Sequence, residues 1–431
     1  MVNKEFQVHD VKLFRKQCLE WVKQFQVVCL LDSHAHVFET HHFDYQDYDL
    51  LIATGVQKHV SSEHGDTLQD LDKHIFSDNK WNFGFFSYDL KNKIENLQSD
   101  NIDHLNWPDF FFFQPKILIR LNGKQLIIES NAETQEIEEV YHEITSVKLP
   151  HASSKKNGTS VKARMPKSDY KNAVEKIKKH IIRGDIYEMN FCQEYYAETH
   201  FDPYSSYNRL NEISPTPFSC FFKLNDKFLI SASPERFIKK RDLRLISQPI
   251  KGTIQRGFTK EEDEKLKEQL RNDPKERAEN IMIVDLVRND LSRVAARNTV
   301  KVDELCGIYS FSHVHQMIST ISAISTTSSI EKIIKATFPM GSMTGAPKIR
   351  AMKLAEKYET SKRGLYSGTV GYIAPNKDFD FNVVIRSLQY NQTNNYLSYM
   401  VGGAITSLSD AEKEYEECLL KAAAIEKLLK S

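Results

Sequence analysis

Residues 218–253 read FSCFFKLNDKFLISASPERFIKKRDLRLISQPIKGT. Apolar β-type runs at 218–223, 227–232 and 243–250 follow one another with no helical pattern between them. Strands joined so directly pair antiparallel, because a parallel neighbour needs a crossover of about a dozen residues or more. Further runs at 366–373, 381–390 and 396–401 repeat the arrangement. Elsewhere helices intervene: 168–183 is amphipathic and ends on Gly184, a residue suited to a helix C-cap. The pattern predicts an α+β fold of large mixed, mostly antiparallel sheets flanked by helices, not a parallel wound sheet.

The same stretch closes on Pro249-Ile250-Lys251-Gly252-Thr253. Pro249 fixes one backbone angle and Gly252 permits an unusual one, so Lys251 is presented from a strand end or tight turn. A lysine held in a pocket can lose its proton and act as nucleophile or base. A solvated turn lysine is the plain alternative.

Upstream, residues 1–150 mix short strands with helices; 27–31, 82–88 and the aromatic run 110–113 read as buried strands, the last with a partner surface as its alternative. The polar, breaker-rich stretch 151–160 is the expected linker to a second unit at 161–431. The 431 residues carry 58 basic and 58 acidic side chains with no basic stripe, which argues against a nucleic-acid partner. Six cysteines, at 18, 29, 192, 220, 306 and 418, lack paired spacing and read as reduced thiols. The N-terminus lacks a signal-peptide run, and no apolar window approaches the ~18 residues of a membrane span. A soluble cytoplasmic protein is expected. His34, His36, His41 and His42 are irregularly spaced and read as surface histidines rather than a metal site.

Asp273-Pro274 opens a helix, with Asp273 as N-cap and Pro274 at its first position. Glu276 and Glu279, three apart, share a face, and the apolar run 281–284 predicts a largely buried element. Like charges buried together are costly unless a cation lies between them. The last helix, capped by Ser409-Asp410, again places Glu414, Glu417 and Lys421 on one face. Two such acidic faces suit Mg²⁺, which takes carboxylate oxygens plus water and substrate oxygens. Solvated helix faces are the alternative.

Met340 to Lys348 is a glycine-rich turn entering a helix, able to meet an anion or simply to start the helix. Arg386 lies in the apolar run 381–388 and needs a partner if buried, most naturally a carboxylate. Gly402-Gly403-Ala404 ends a strand where bare backbone could approach a ligand. Together these features point to a small substrate with two carboxylates, one toward the metal and one on Arg386.

The segments that carry this chemistry resemble the chorismate-utilising enzymes, and within them the branch that makes 4-amino-4-deoxychorismate. The likeness spans roughly Ser168 to Lys421. It rests on Gly-Asp-Ile-Tyr-Glu-Met-Asn (184–190), Ser-Pro-Glu-Arg-Phe (233–237), Pro-Ile-Lys-Gly-Thr (249–253) and Asp-Leu-Val-Arg-Asn-Asp-Leu (285–291). Gly-Ala-Pro-Lys-Ile-Arg-Ala-Met (345–352) and Glu-Tyr-Glu-Glu-Cys-Leu-Leu-Lys-Ala (414–422) complete it. The resemblance implies Glu279 and Glu417 as principal Mg²⁺ ligands, with Glu276 and Glu414 as the second carboxylates. It implies Tyr366 and Arg386 as holders of the enolpyruvyl carboxylate, and substrate contacts at Gly252, Thr253, Ser342, Gly402, Gly403, Ala404 and Lys421. Lys251 would be a covalent nucleophile, where related branches usually carry alanine. Glu235 would be the acid for the departing C4 hydroxyl. Ammonia is expected from a separate glutamine amidotransferase subunit.

Three departures accompany the likeness. Gln316 stands where relatives usually have histidine, Ala404 replaces a third glycine, and Leu30-Leu31-Asp32-Ser33 resembles an element at which relatives bind tryptophan. A buried pair of leucines in an early strand is the other reading of that element. Anthranilate synthase component I is the alternative activity. Isochorismate or salicylate synthesis, or a catalytically silent chorismate-binding subunit, stand further off.

Overall fold

The computed structural model describes residues 2–34, 48–131, 134–149, 158–311 and 314–430. Residues 151–157 of the expected linker, and His36, His41 and His42, lie outside the described residues. Every pairing of its strands is antiparallel, and the sheet forks at Phe110–Asn122. One arm runs through Gln125–Ser130 to the edge strand Val2–Gln7, and the other way through Leu50–Ser61, Val27–Asp32, Phe218–Leu224 and Lys227–Ser233. It continues through Ser387–Asn391 and Tyr396–Ile405 to Glu188–Glu198. The second arm leaves through Asn82–Phe86 to Thr369–Ile373, Phe379–Asn382, Arg236–Arg241 and Arg244–Gln248. It ends on Val314–Ile324, which also carries Ile250–Gln255 and Lys301–Ser310.

Alternation along the strands sorts apolar residues into separate cores. Phe111 and Phe113 join Phe83, Phe85, Cys29 and Phe222 in a core shared by both arms. Phe110 and Phe112 face the opposite way, into a core closed by the helices Pro274–Ser292 and Ile330–Thr337. Val28 and Leu30 face a third core, closed by helices including Val11–Trp21, Lys167–Ile182 and Ala411–Lys430. The 110–113 run is therefore buried strand on both faces. Strands from residues 2–149 and from 158–430 hydrogen-bond to one another in both arms.

Two expected strands are broken. Pro249 separates Arg244–Gln248 from Ile250–Gln255, since proline donates no ladder hydrogen bond. The run 381–390 is not one strand but Phe379–Asn382 and Ser387–Asn391, parted by residues 383–386. The helix Pro274–Ser292 is less buried than its apolar run suggested: Ile283 and Val284 are buried, but Ile281 is 39% exposed. Among the described residues, no helix is long and apolar enough to cross a membrane.

Candidate active site

The site forms where the two arms end. Lys251 is half-buried on Ile250–Gln255, at a bulge where the register against Val314–Ile324 shifts between Ile250 and Thr253. A bulge re-aims the side chains beside it. Gly252 takes a φ of 95°, and a Cβ added there would lie 3.2 Å from Glu276 Oε2. Asn280 Nδ2 donates to the Lys251 carbonyl at 3.3 Å and to the Met317 carbonyl at 3.3 Å. The backbone of the candidate nucleophile is thereby tied to the helix that carries Glu276 and Glu279. The charge of Lys251 acts on Glu188, Glu235 and Glu417, which come from three separate segments.

Glu235, 3% exposed, lies between the strands Lys227–Ser233 and Arg236–Arg241. Burial pushes its carboxyl up to about 7, against a Ser342 hydrogen bond and the charges of Lys251 and Arg386. The Ser342 hydroxyl donates to Glu235 Oε1 at 2.6 Å. Residues 383–386 are stitched alongside: the Val383 N–H donates to the Glu235 carbonyl at 2.9 Å, and the Ala232 N–H to the Arg386 carbonyl at 3.1 Å. This irregular segment, with Arg386 at a φ of 49°, brings the guanidinium into electrostatic reach of Glu235.

Arg386 contrasts with the fully buried arginines. Arg236 holds Asp380 through two 2.9 Å bonds, and Arg363 holds Glu359 at 2.6 and 2.9 Å. Half-buried Arg386 has no carboxylate within ion-pair distance among the described residues, so its fork is open to a ligand carboxylate. Tyr366 is 4% exposed, and its hydroxyl accepts from Cys192 Sγ at 3.8 Å. Burial raises its pKa well above the usual phenol value, so it stays a neutral hydroxyl.

The two acidic faces meet electrostatically. Lys275 feels Glu279, Glu414, Glu417 and Glu276 together. Burial, reinforced by Glu279, pushes Glu276 up to about 6. Burial also raises Glu414. At Glu417 burial acts upward too, but Lys421 at 2.7 Å and neighbouring cations outweigh it and hold the carboxyl below its ordinary range. Lys421 donates in addition to the Gly402 carbonyl at 3.0 Å. A Cβ added at Gly403 would lie 3.1 Å from Glu414 Oε2 and 3.5 Å from Glu417 Oε1. Ala404 sits in the Tyr396–Ile405 strand opposite Asn190, outside the left-handed region, so its methyl is accommodated.

Among the described residues no three His, Cys, Asp or Glu side chains make a complete metal cage. The residues nonetheless fit a hard cation shared by two carboxylate pairs and completed by water and ligand oxygens. Glu279 Oε1 is buried with no hydrogen-bond partner, and the cation paired with it, Lys275 Nζ, stands 3.8 Å away, which leaves it able to accept from a closer cation.

Several expectations change. The Met340–Lys348 turn is packed rather than open: Gly345-Ala346 pairs with Met189 and Glu188, and Lys348 binds Asp290 at 2.5 Å. Ser342 serves Glu235, and Thr253 is exposed. His34 is buried, not on the surface, with its ring nitrogen 3.2 Å from Asp32. Leu30 is core, whereas Leu31, Asp32 and Ser33 line a small hollow with Tyr48, Phe218 and Asn382. Gln316 is 2% exposed with an unpartnered Oε1. His315 is held away by Ser310 and Asp263, at 2.8 and 2.9 Å. Sequence reasoning gave no role to Asn280 or Glu188. Glu188 lies in the Gly-Asp-Ile-Tyr-Glu-Met-Asn string (184–190), which did not single it out from its neighbours.

The family model for chorismate binding enzymes matches residues 28–427, well beyond the stretch from Ser168. Aminodeoxychorismate synthase component 1 of Bacillus subtilis strain 168 is 34% identical over 377 residues, covering 84% of this chain and 80% of the relative. Anthranilate synthase component 1 of Acetivibrio thermocellus is 33% identical over 368 residues, covering 80% of this chain and 74% of the relative. The crystal structure of anthranilate synthase component I from Streptococcus pneumoniae TIGR4 superposes with a TM-score of 0.77 at 25% identity. That match covers 87% of this chain and 91% of the other.

Proposed function

The chain belongs to the chorismate binding enzyme family, and we propose that it aminates chorismate to 4-amino-4-deoxychorismate through a covalent intermediate on Lys251. The reaction would be Mg²⁺-dependent, would draw ammonia from a glutaminase partner, and would feed 4-aminobenzoate and folate synthesis. The half-buried Lys251, whose charge acts on Glu188, Glu235 and Glu417, carries this reading. Relatives named as component 1 support a second component.

Glu276, Glu279, Glu414 and Glu417 would hold the Mg²⁺, with bare backbone at Gly252, Gly402 and Gly403 leaving room beside them. Bound there, the ion would neutralise the ring carboxylate and draw electron density from the ring. Arg386 and Tyr366 would hold the enolpyruvyl carboxylate, while Lys421 steadies Glu417. Glu235, still protonated near neutral pH, gives its proton to the C4 hydroxyl, which leaves as water. Lys251 Nζ bonds to C2 as that hydroxyl departs, so one hard displacement becomes two easier ones. Ammonia then adds at C4, its surplus proton returns to Glu235, and the C2–N bond breaks.

Incubation with chorismate, Mg²⁺ and an ammonium salt should yield aminodeoxychorismate, read as 4-aminobenzoate after coupling to a lyase. Lys251→Ala should form no covalent adduct by intact-protein mass spectrometry. Anthranilate released without a lyase would sink the proposal in favour of the anthranilate reading that the Acetivibrio relative supports. Isochorismate or salicylate as sole product, or chorismate binding with no turnover at saturating ammonia, would also sink it.

A further inference from the structure

The resemblance implies a substrate contact at Ser342, but the hydroxyl is turned to Glu235. Ser342 Oγ donates to Glu235 Oε1 at 2.6 Å, between residues that are 6% and 3% exposed. A bond this short and this dry holds both groups in one arrangement.

The turn that carries Ser342 is fixed through its backbone. Gly341–Met343 is a short 3₁₀ turn, closed by the Met343 N–H on the Met340 carbonyl at 3.2 Å. The Thr344 hydroxyl donates to the same carbonyl at 3.1 Å, and the Asn190 N–H donates to the Thr344 carbonyl at 2.7 Å. Arg363, held by Glu359, donates to the Met343 carbonyl at 2.8 Å. A Cβ added at Gly341 would lie 3.2 Å from Leu286 Cβ, so the turn rests directly on the helix Pro274–Ser292. Glu235 is held in its turn: its N–H donates to Ser233 Oγ at 3.2 Å, and its carbonyl accepts from the Val383 N–H at 2.9 Å.

We propose that Ser342 is the positioning residue of the acid step: by donating to Oε1 it leaves Oε2 to carry the transferable proton, and it steadies the carboxylate that remains. This role rests on the amination reading. As the C4–O bond breaks, Oε2–H breaks with it, and the hydroxyl leaves with that proton as water. The Ser342 O–H bond stays intact, and its hydrogen bond to Oε1 becomes charge-assisted and roughly twice as strong. When ammonia has added at C4, its surplus proton returns to Oε2. Burial raises Glu235 to about 7, opposed by the Ser342 bond, by Lys251 from Ile250–Gln255, by the Ile250 N–H and by Arg386 from residues 383–386. The adjoining Arg236 is committed to Asp380. Without the Ser342 bond, Glu235 would hold its proton more tightly and give it up less readily.

Ser342→Ala removes the donor and leaves every backbone tie of the turn in place. With chorismate and Mg²⁺ at pH 6, its limiting rate of adduct formation by mass spectrometry should fall on the order of 10-fold. The chorismate concentration that gives half that rate should not change. The variant-to-native ratio should climb severalfold from pH 6 to pH 8, because native Glu235 loses its proton first. Ser342→Cys, which fills the same space with a weak donor, should lie closer to Ser342→Ala than to the native protein. The infrared carboxyl band that Glu235→Gln lacks reads the same titration without turnover. In Ser342→Ala it should persist about one pH unit higher. A weaker hold on chorismate with the limiting rate unchanged, a ratio constant across pH, native-like rates in Ser342→Cys, or an unmoved infrared titration would overturn this role alone. A native protein that makes no aminodeoxychorismate, yet whose Glu235 band still moves in Ser342→Ala, would overturn the amination reading and the acid step with it, and leave the hold of Ser342 on that proton standing.

Discussion

A carboxyl 3% exposed with one serine hydroxyl on it is expensive to ionise, and Glu235 shows the cost in two ways. Its folded value of about 7 stands above the ordinary 4.5, so its protonated form is favoured by folding. That stabilisation is complete below about pH 4.5 and is lost as pH rises through about 7. The gap corresponds to about 3 kcal/mol, at about 1.4 kcal/mol per pH unit. Glu235→Gln, which cannot ionise, should therefore gain thermal stability over the native protein between pH 5 and pH 8 while losing amination. A stability difference that stays flat over this range would show that burial does not set the Glu235 charge. In the native enzyme, the proton needed at the C4 hydroxyl disappears above about pH 7, so adduct formation should decline there. Residues of this kind were legible in the sequence where a charged side chain sat in a recognisable string, as at Lys251, Glu235 and the four glutamates. Asn280 was not, because its role depends on what packs against it: an amide facing the carbonyl of a residue 29 positions upstream.

Asn280 ties the helix Pro274–Ser292 to the strand that carries Lys251. It is 1% exposed, donates to the carbonyls of Lys251 and Met317, and accepts from the Ser319 hydroxyl and from Cys306 Sγ. Asn280→Ala leaves two carbonyls and a hydroxyl without this partner, a destabilisation of about 1–3 kcal/mol. The larger consequence falls on geometry. With the helix Pro274–Ser292 untied from Ile250–Gln255, adduct formation on Lys251 should drop more steeply than chorismate affinity. Equal losses in both, or neither, would mean that the link only holds the fold. Element type was readable from strand alternation and from caps: Asp273 accepts from the N–H groups of Lys275 and Glu276, as its place before Pro274 predicts. The interruption at 383–386 was hidden, because an apolar run gives no sign that its backbone turns to bond with residues 231–235. That interruption is what swings Arg386 toward Glu235.

At the scale of the whole molecule, strands from before and after the composition break at 151–160 share one sheet. Val27–Asp32 lies between Leu50–Ser61 and Phe218–Leu224, and Asn82–Phe86 lies between Phe110–Asn122 and Thr369–Ile373. Alternation reveals which face of a strand is buried but not which distant strand it meets, so this interleaving could not be read from sequence. Its energetic weight can be judged from the shared core. Phe83, Phe85, Phe111 and Phe113 are each 5% exposed or less. At about 1.5–3 kcal/mol for each buried side chain, the four contribute about 6–12 kcal/mol, comparable with the entire net stability of a typical domain, about 5–15 kcal/mol. Residues 158–431 expressed alone would lose those rings and leave Phe218–Leu224 and Thr369–Ile373 as open edges, a template for aggregation. Such a fragment should show no cooperative thermal transition and no chorismate binding. Co-expression with residues 1–149 should restore both, because the missing strands can pair without a covalent joint. A fragment that unfolds cooperatively and binds chorismate by itself would show that the catalytic half supplies its own core, and that the shared strands only cover it.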